Sequence, residues 1–286
     1  MTTKFHVLLT VDVEPGYRSA DGTMNWDYGS TVLQKGNAGA PGFFSGVPTL
    51  LELAEEMCTH GATHITFFLM PLISVIRNSE SLTSQLVSAS RAGHEMGVHI
   101  HPDDPALAKA ETYNPVFSSN PFLAQLALMR RAKSLISNIV GKTTSIRIGR
   151  LAADGRTLMA MALSGFRFDS SLASRGEKPV NWHRAVLRVP ISVDPTGRWA
   201  HPAYGFDFLR TLFLERYTVW DRRRQGFLVI FLHSSNIVDQ RGRTNSDFEN
   251  LKRFVGYVSD EFCSKGDTQF SSVREFSLAW RSSDRP

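Results

Sequence analysis

Short apolar, β-branched runs alternate along this chain with longer stretches of helical period, and no other feature narrows the possible folds as much. FHVLLTVDV (5–13) reads as a buried strand, 47–61 as an amphipathic helix stopped at Gly61, 63–70 as a second strand and 81–93 as a helix ending on Gly93. A third strand is expected over 95–100, a helix over roughly 121–140, a fourth strand over 144–148 and a helix over 154–164 closed by Gly165. Short strands follow around 166–168 and 185–189. The segment 205–224 spaces Phe206, Leu209, Phe213, Tyr217 and Trp220 at helical intervals, a stripe read as core packing. A strand over 227–233, a helix over 248–264 and a last strand or turn over 270–276 complete the series. Strands that alternate with helices pair in parallel through crossover helices. Seven or eight such units suit a closed or nearly closed α/β barrel. One domain is expected over 1–280, with a flexible tail at 281–286.

The 286 residues, 42% hydrophobic and 21% charged, suffice for one large core. Lys and Arg outnumber Asp and Glu by 32 to 27, and the resulting +5 reads as a solvated basic surface that also suits an anionic substrate. The one compact basic run, Arg222-Arg223-Arg224, is too short to mark a nucleic-acid partner. Cys58 and Cys263 each fall in a predicted helix and outside any metal or redox motif, so both are read as free thiols. The N-terminus enters a strand almost at once, without a long apolar stretch or a small-residue cleavage site. No run approaches the roughly 18 apolar residues that span a bilayer. These features set the expectation of a cytoplasmic chain without a transmembrane segment; oligomeric state is left open. Residues 16–46 form an unusually long connection rich in Gly and aromatics, placed to act as a lid or binding surface, with Trp26 and Tyr28 free to stack on a ring and Asp27 to bond hydroxyls. GNAGAPG within it lacks the Gly-Lys-Ser/Thr ending of a phosphate loop.

Chemistry-bearing residues gather at the predicted C-terminal strand ends, where α/β barrels place their active sites. In TVDVEPG, Asp12 and Glu14 point the same way from one strand, and two acids on an apolar strand are costly without a cation. In GHEMGVHIHPDD, His99, His101 and Asp103 follow the third strand within five residues, and a single helical turn would bring His99 and Asp103 to one point. Imidazole with carboxylate suits zinc, or cobalt, manganese or nickel. Arg147 ends TSIRI and is placed to pair with Asp12, with Arg150 close by. Asp169 ends FRFD, and His233 ends VIFLH. His94, ahead of its strand, reads as structural.

The ordered set TVDVEP, GHEMGVHIHPD, SIRIGR, FDSS and FLHSS, with GATHITFFLM as a second strand, resembles the motifs of the NodB-like polysaccharide deacetylases, carbohydrate esterase family 4. The likeness spans residues 5 to about 235. It implies a distorted (β/α)7 barrel and a metal-dependent hydrolase that removes an N-acetyl or other small acyl group from a sugar or glycoconjugate. It also implies the roles: Asp12 as general base, Arg147 as its brace, His233 as general acid tuned by Asp169, and one divalent metal, expected to be zinc, on Glu14, His99 and Asp103. The chain departs from the family in Asp-x-Glu spacing, in Asp103 where the family has a second metal histidine, and in lacking the proline after Arg147. Whether Asp103 or His101 completes the metal site stays open. The alternatives are a deformylase or amidase of the same fold, or an inactive sugar-binding homologue.

Overall fold

The computed structural model describes residues 3–13, 17–18, 24–25, 46–56, 63–71, 80–102, 104, 107, 114–175, 179–182, 185–238 and 243–283. The strands are β1 (Phe5–Val13), the short antiparallel pair β2 (Tyr17–Arg18) and β3 (Met24–Asn25), β4 (Thr66–Leu69), β5 (Glu95–Ile100), β6 (Ser145–Ile148), β7 (Phe168–Asp169), β8 (Ala173–Ser174), β9 (Val180–Trp182), β10 (Val186–Arg188), β11 (Ile191–Ser192), β12 (Gly226–His233) and β13 (Thr268–Phe270). The helices are α1 (Gly46–Glu56), α2 (Glu80–Arg91), α3 (Phe122–Val140), α4 (Gly155–Leu163), α5 (Phe206–Thr218), α6 (Ser246–Glu261) and α7 (Val273–Ser283).

Among the described residues seven strands run parallel in the order β12-β1-β4-β5-β6-β7-β10, with β9 antiparallel on the far edge. The sheet curls into a distorted (β/α)7 half-barrel, as the resemblance implied. β1 is its axis. One edge pairs along its length with β12, from Phe5↔Gly226 to Asp12↔His233. The other edge is shared: β13 takes residues 5–7 and β4 takes residues 10–13. Between β10 and β12 the ladder is replaced by irregular links. The Val229 N–H donates to Ser192 Oγ at 3.0 Å and the Phe231 N–H to the Ala200 carbonyl at 3.0 Å.

Strand alternation sorts the apolar side chains into two cores. On β1, Val7, Leu9, Val11 and Val13 face outward and pack under the helices, in one cluster with Leu50, Leu53, Leu128, Ile136 and Phe254. Leu8 faces inward and joins Phe68, Phe168, Leu187, Val229 and Phe231 inside the barrel. The aromatic stripe of α5 is core packing as expected: Phe213 and Tyr217 meet Phe5 edge-on at 5.4 and 5.6 Å.

The C-terminal segment differs from its expectation. Residues 270–276 were read as a strand or turn, but β13 ends at Phe270 and helix α7 begins at Val273, running to Ser283 and so three residues into the expected tail. Helical period is present in Val273, Phe276 and Trp280, and these three close the N-terminal mouth of the barrel by joining the interior cluster. The first N–H groups of a helix have no partner within it. Here the Val273 N–H donates to Thr66 Oγ1 at 2.9 Å and the Arg274 N–H to Glu95 at 2.8 Å, both from interior positions of the barrel. Burial pushes the Glu95 carboxyl above its usual range against the hydrogen bonds of Ser145, Arg274 and Thr66. Among the described residues α7 fills that end of the barrel interior, opposite the C-terminal rim. Cys263 lies in a short turn after α6 with its thiol pushed up to about 11 by burial, and Cys58 falls outside the described residues. No described helix is long and apolar enough to cross a membrane.

Burial holds His6, on the inward row of β1, and His94 at about 4, well below the ordinary 6.5. An unfolded chain takes up these protons from pH 6.5 downward while the folded chain resists until about pH 4. The stability these rings contribute is therefore present above pH 6.5 and lost as pH falls through about 4. In urea titrations, His6→Gln should flatten the fall in unfolding free energy between pH 6.5 and 4 relative to the unsubstituted chain. An unchanged slope would show that His6 is not held neutral by the fold.

Candidate active site

Arg147 is the centre of the open rim. β6 turns its side chain inward, where it is fully buried, and four hydrogen bonds answer its donors. Nη1 donates to Asp12 Oδ1 at 2.8 Å, Nη2 to Thr10 Oγ1 at 2.8 Å and to Ser170 Oγ at 2.9 Å, and Nε to the Ser170 carbonyl at 3.2 Å. The guanidinium lies over the ring of Phe68 at 4.3 Å and near that of Phe231 at 5.1 Å. Burial lowers the Arg147 pKa, and the charge and hydrogen bond of Asp12 oppose that shift.

Asp12, 3% exposed, has Oδ1 committed to Arg147 and turns Oδ2 toward His99, whose Nε2 is 3.7 Å away. His99 and His101 stand two apart on β5 and its extension, so both face the interior. Their Nε2 atoms approach to 3.0 Å. His99 Nδ1 lies 3.1 Å from the Arg147 carbonyl, which can only accept, so Nδ1 carries the proton and Nε2 presents a lone pair. That is how ligating histidines are commonly oriented. Gly149 gives His101 its room: a Cβ there would fall 2.3 Å from the imidazole. The next two residues, Arg150 and Leu151, take left-handed backbone angles (φ 57° and 52°), so the chain leaves β6 through a strained turn beside this imidazole pair.

The His99 lone pair, with the His101 imidazole beside it, fits part of a metal site. Ligands at about 2.0–2.1 Å in tetrahedral array stand roughly 3.3 Å apart, close to the separation seen here. Among the described residues no group of three or more His, Cys, Asp and Glu is gathered so as to hold a metal. Glu14 and Asp103, the two carboxylates expected to complete the set, lie outside the described residues, as do Trp26, Asp27 and Tyr28. The neighbouring Asp104 is fully buried, and its N–H donates to the His101 carbonyl at 3.1 Å.

His233 sits beside Asp12 in strand register and is half-buried, with its ring edge-on to Phe231 at 5.0 Å. Asp169 is not its hydrogen-bond partner. Oδ2 of Asp169 accepts from Arg188 Nε at 2.7 Å and Oδ1 from the Ser171 N–H at 2.8 Å. The reason is strand parity: Phe168 faces the interior cluster, so the next residue turns the other way, toward Arg188, its register partner on β10. The group at His233 is instead Asn236, third residue of the 3₁₀ turn that follows β12, with Oδ1 3.3 Å from His233 Nδ1. Neither Asn236 nor Arg188 stands out in the sequence. The spacing His-x-x-Asn at a strand end is the pattern of a capping box, and was the available signal for the first.

Beyond His233 the rim opens into a cavity of about 600 Å³ lined by Trp199, Tyr204, Phe231, His201 and Arg198. Asp194 makes its wall rigid by accepting from the N–H groups of Thr196 and Arg198 and from Arg198 Nε at 2.8 to 2.9 Å. Against the opposing effect of burial, the Thr196 hydroxyl, which donates to Oδ1 at 2.8 Å, together with those bonds holds the Asp194 carboxyl at about 2. Arg198 in turn lies over Phe208 and Tyr204, at 4.7 and 5.6 Å.

No family model and no curated protein matches the sequence. Solved structures do match. A protein from Mycobacterium smegmatis assigned as a polysaccharide deacetylase aligns over 100% of this chain and 93% of its own, at 18% identity and a TM-score of 0.67. The 4-α-glucanotransferase of Thermococcus litoralis aligns over 96% of this chain and 40% of its own, at 12% identity and TM-score 0.62. A mutant with restored activity of a CE4-family pseudoenzyme from Bacillus anthracis aligns over 96% and 68%, at 11% identity and TM-score 0.51. At these identities the likeness establishes architecture: the chain has the fold found in polysaccharide deacetylases, in keeping with the resemblance of its motifs.

Proposed function

We propose that this chain is a metal-dependent hydrolase that removes an acetyl or other small acyl group from a sugar or glycoconjugate. The observation that carries the reading is the convergence of Asp12, braced by Arg147, with the His99–His101 pair and, one strand away in register, His233. A carboxylate, an adjacent pair of imidazoles and a separate imidazole on one rim are the parts needed to activate water and protonate a leaving group. The similarity to deacetylases in fold supports it.

In this reading Glu14 and His99, with Asp103 or His101, hold one divalent ion, zinc by the chemistry of the donor set. When bound, the ion supplies Lewis acidity to the acyl carbonyl and to the attacking water. Asp12 accepts the proton of that water on Oδ2, the oxygen that Arg147 leaves open. Arg147 fixes the carboxylate through a buried bond, so the base does not reorganise during the step. His233 donates a proton to the departing amine or alcohol. The cavity beyond it receives the sugar, with Trp199 and Tyr204 offering faces to a pyranose ring.

Metal content separates the candidate ligands. After zinc loading, elemental analysis should find one ion per chain, and His99→Ala should find none. Replacing His101 and Asp103 in turn should weaken binding for the true third ligand by at least 10-fold and leave the other near unchanged. A chain that takes up no zinc, cobalt, manganese or nickel would remove the metal from the account.

Trp199→Ala should raise KM for an N-acetylated oligosaccharide by roughly 10-fold while changing the cleavage of 4-nitrophenyl acetate little, because only the larger substrate reaches the aromatic wall. Equal effects on both substrates would mean that Trp199 supports the rim and does not bind sugar.

A further inference from the structure

We propose that Asn236, braced by His201, is the positioning residue that keeps a proton on His233 Nδ1, so that Nε2 is the nitrogen that gives its proton to the leaving group, the place the resemblance gives to Asp169. The inference rests on the role of His233 proposed above.

The backbone donors fix the proton positions of Asn236 and His201. The His233 N–H donates to the Asn236 side chain at 2.8 Å, and an N–H requires an acceptor, so that atom is the amide oxygen. The Ala203 N–H donates to His201 Nδ1 at 3.0 Å, so His201 carries its proton on Nε2. That Nε2 lies 3.0 Å from the same Asn236 oxygen and donates to it. The oxygen is thus fixed by two donors on separate segments, and its third neighbour is His233 Nδ1 at 3.3 Å. An acceptor-only atom meets an imidazole nitrogen favourably when that nitrogen is protonated. Nδ1 then keeps its proton throughout and Nε2 is left to exchange one with the leaving group, the division of labour that an orienting partner imposes on catalytic histidines. Below the side chain, Asn245 Nδ2 donates to the Asn236 carbonyl at 2.6 Å while Asn245 Oδ1 caps α6, so the turn is tied to a packed helix. Asp169, the family's expected partner, spends both oxygens on Arg188 and the Ser171 N–H.

One competing arrangement is built into the same turn. The Asn236 backbone N–H donates to the His233 side chain in the capping box, and an Nδ1 that accepts this bond carries no proton, which is the opposite tautomer. Long-range proton–nitrogen spectra of ¹⁵N-histidine-labelled full-length protein, recorded where the ring is neutral, distinguish the two. The expected result is the Nδ1–H tautomer for His233 in the unsubstituted chain and in Asn236→Asp, which keeps an acceptor, with loss of that preference in Asn236→Ala. His201→Ala should weaken the preference part-way. Finding His233 as the Nε2–H tautomer in the unsubstituted chain, or finding Asn236→Ala without effect on it, overturns the proposal. Kinetics give a second reading, since 4-nitrophenolate leaves without a proton whereas an amine does not. Asn236→Ala should lower kcat on an N-acetylated chito-oligosaccharide roughly 10-fold more than on 4-nitrophenyl acetate, a fraction of what general acid catalysis contributes. Equal losses on the two would assign Asn236 to the structure of the turn alone. A chain that shows the expected tautomers yet hydrolyses neither substrate supports this geometry and contradicts the proposed activity.

Discussion

Arg147 is a full positive charge buried inside an apolar barrel, and the polar end of the molecule is organised around it. A buried charge deprived of its partner costs about 3–5 kcal/mol, and a guanidinium carries five donors to satisfy. The barrel answers with Thr10 and Asp12 from β1 and Ser170 after β7, and covers the flat faces with Phe68 from β4 and Phe231 from β12. Arg147 on β6 therefore links strands on both sides of the half-barrel. Its main chain takes part as well, since its carbonyl fixes the proton on His99 Nδ1 and so aims the Nε2 lone pair into the rim. Chemistry can happen at this end because the opposite mouth is closed by Phe276 and Trp280 of α7.

Much of this was legible in the sequence. Period-two and period-3.6 patterns placed β1, β5, β6 and β12 and their intervening helices nearly where they are, because each carries a long apolar run or a Gly stop such as Gly165, which has the left-handed backbone a helix end favours. Asp12, His99, Arg147 and His233 were found because they sit at strand ends, and β1 and β12 bring Asp12 and His233 side by side. α7 escaped because only Val273, Phe276 and Trp280 mark its barrel-facing side while Leu278 on the exposed side confuses the period, and the preceding β13 strand blurred the change further. The segment 191–200 that bridges β10 and β12 escaped too: it bonds through Ser192 Oγ and a lone carbonyl, which no alternation records.

Asp169 shows where pattern and geometry separate. A carboxylate at a strand end looks interchangeable with its neighbours on paper, yet a single step of strand parity decides whether it faces the interior or Arg188. The amide of Asn236 occupies the position beside His233 instead, reached through a turn rather than a strand. An architecture shared with a glucanotransferase and with a pseudoenzyme cannot by itself assign chemistry, so function has to be argued from such contacts. The contacts that favour hydrolysis here are the buried Asp12–Arg147 pair and the His99–His101 pair it faces.

The most direct measurement is acetate release from a panel of N-acetylated and O-acetylated sugars by the zinc-loaded chain, set beside Asp12→Asn. The Asn side chain keeps the shape and one hydrogen bond to Arg147 but cannot take a proton from water. The account predicts turnover by the unsubstituted chain, inhibition of it by a chelator, and a loss of roughly 10²-fold or more in Asp12→Asn with metal still bound. Turnover that survives Asp12→Asn, or acetate release unaffected by chelation, would contradict it.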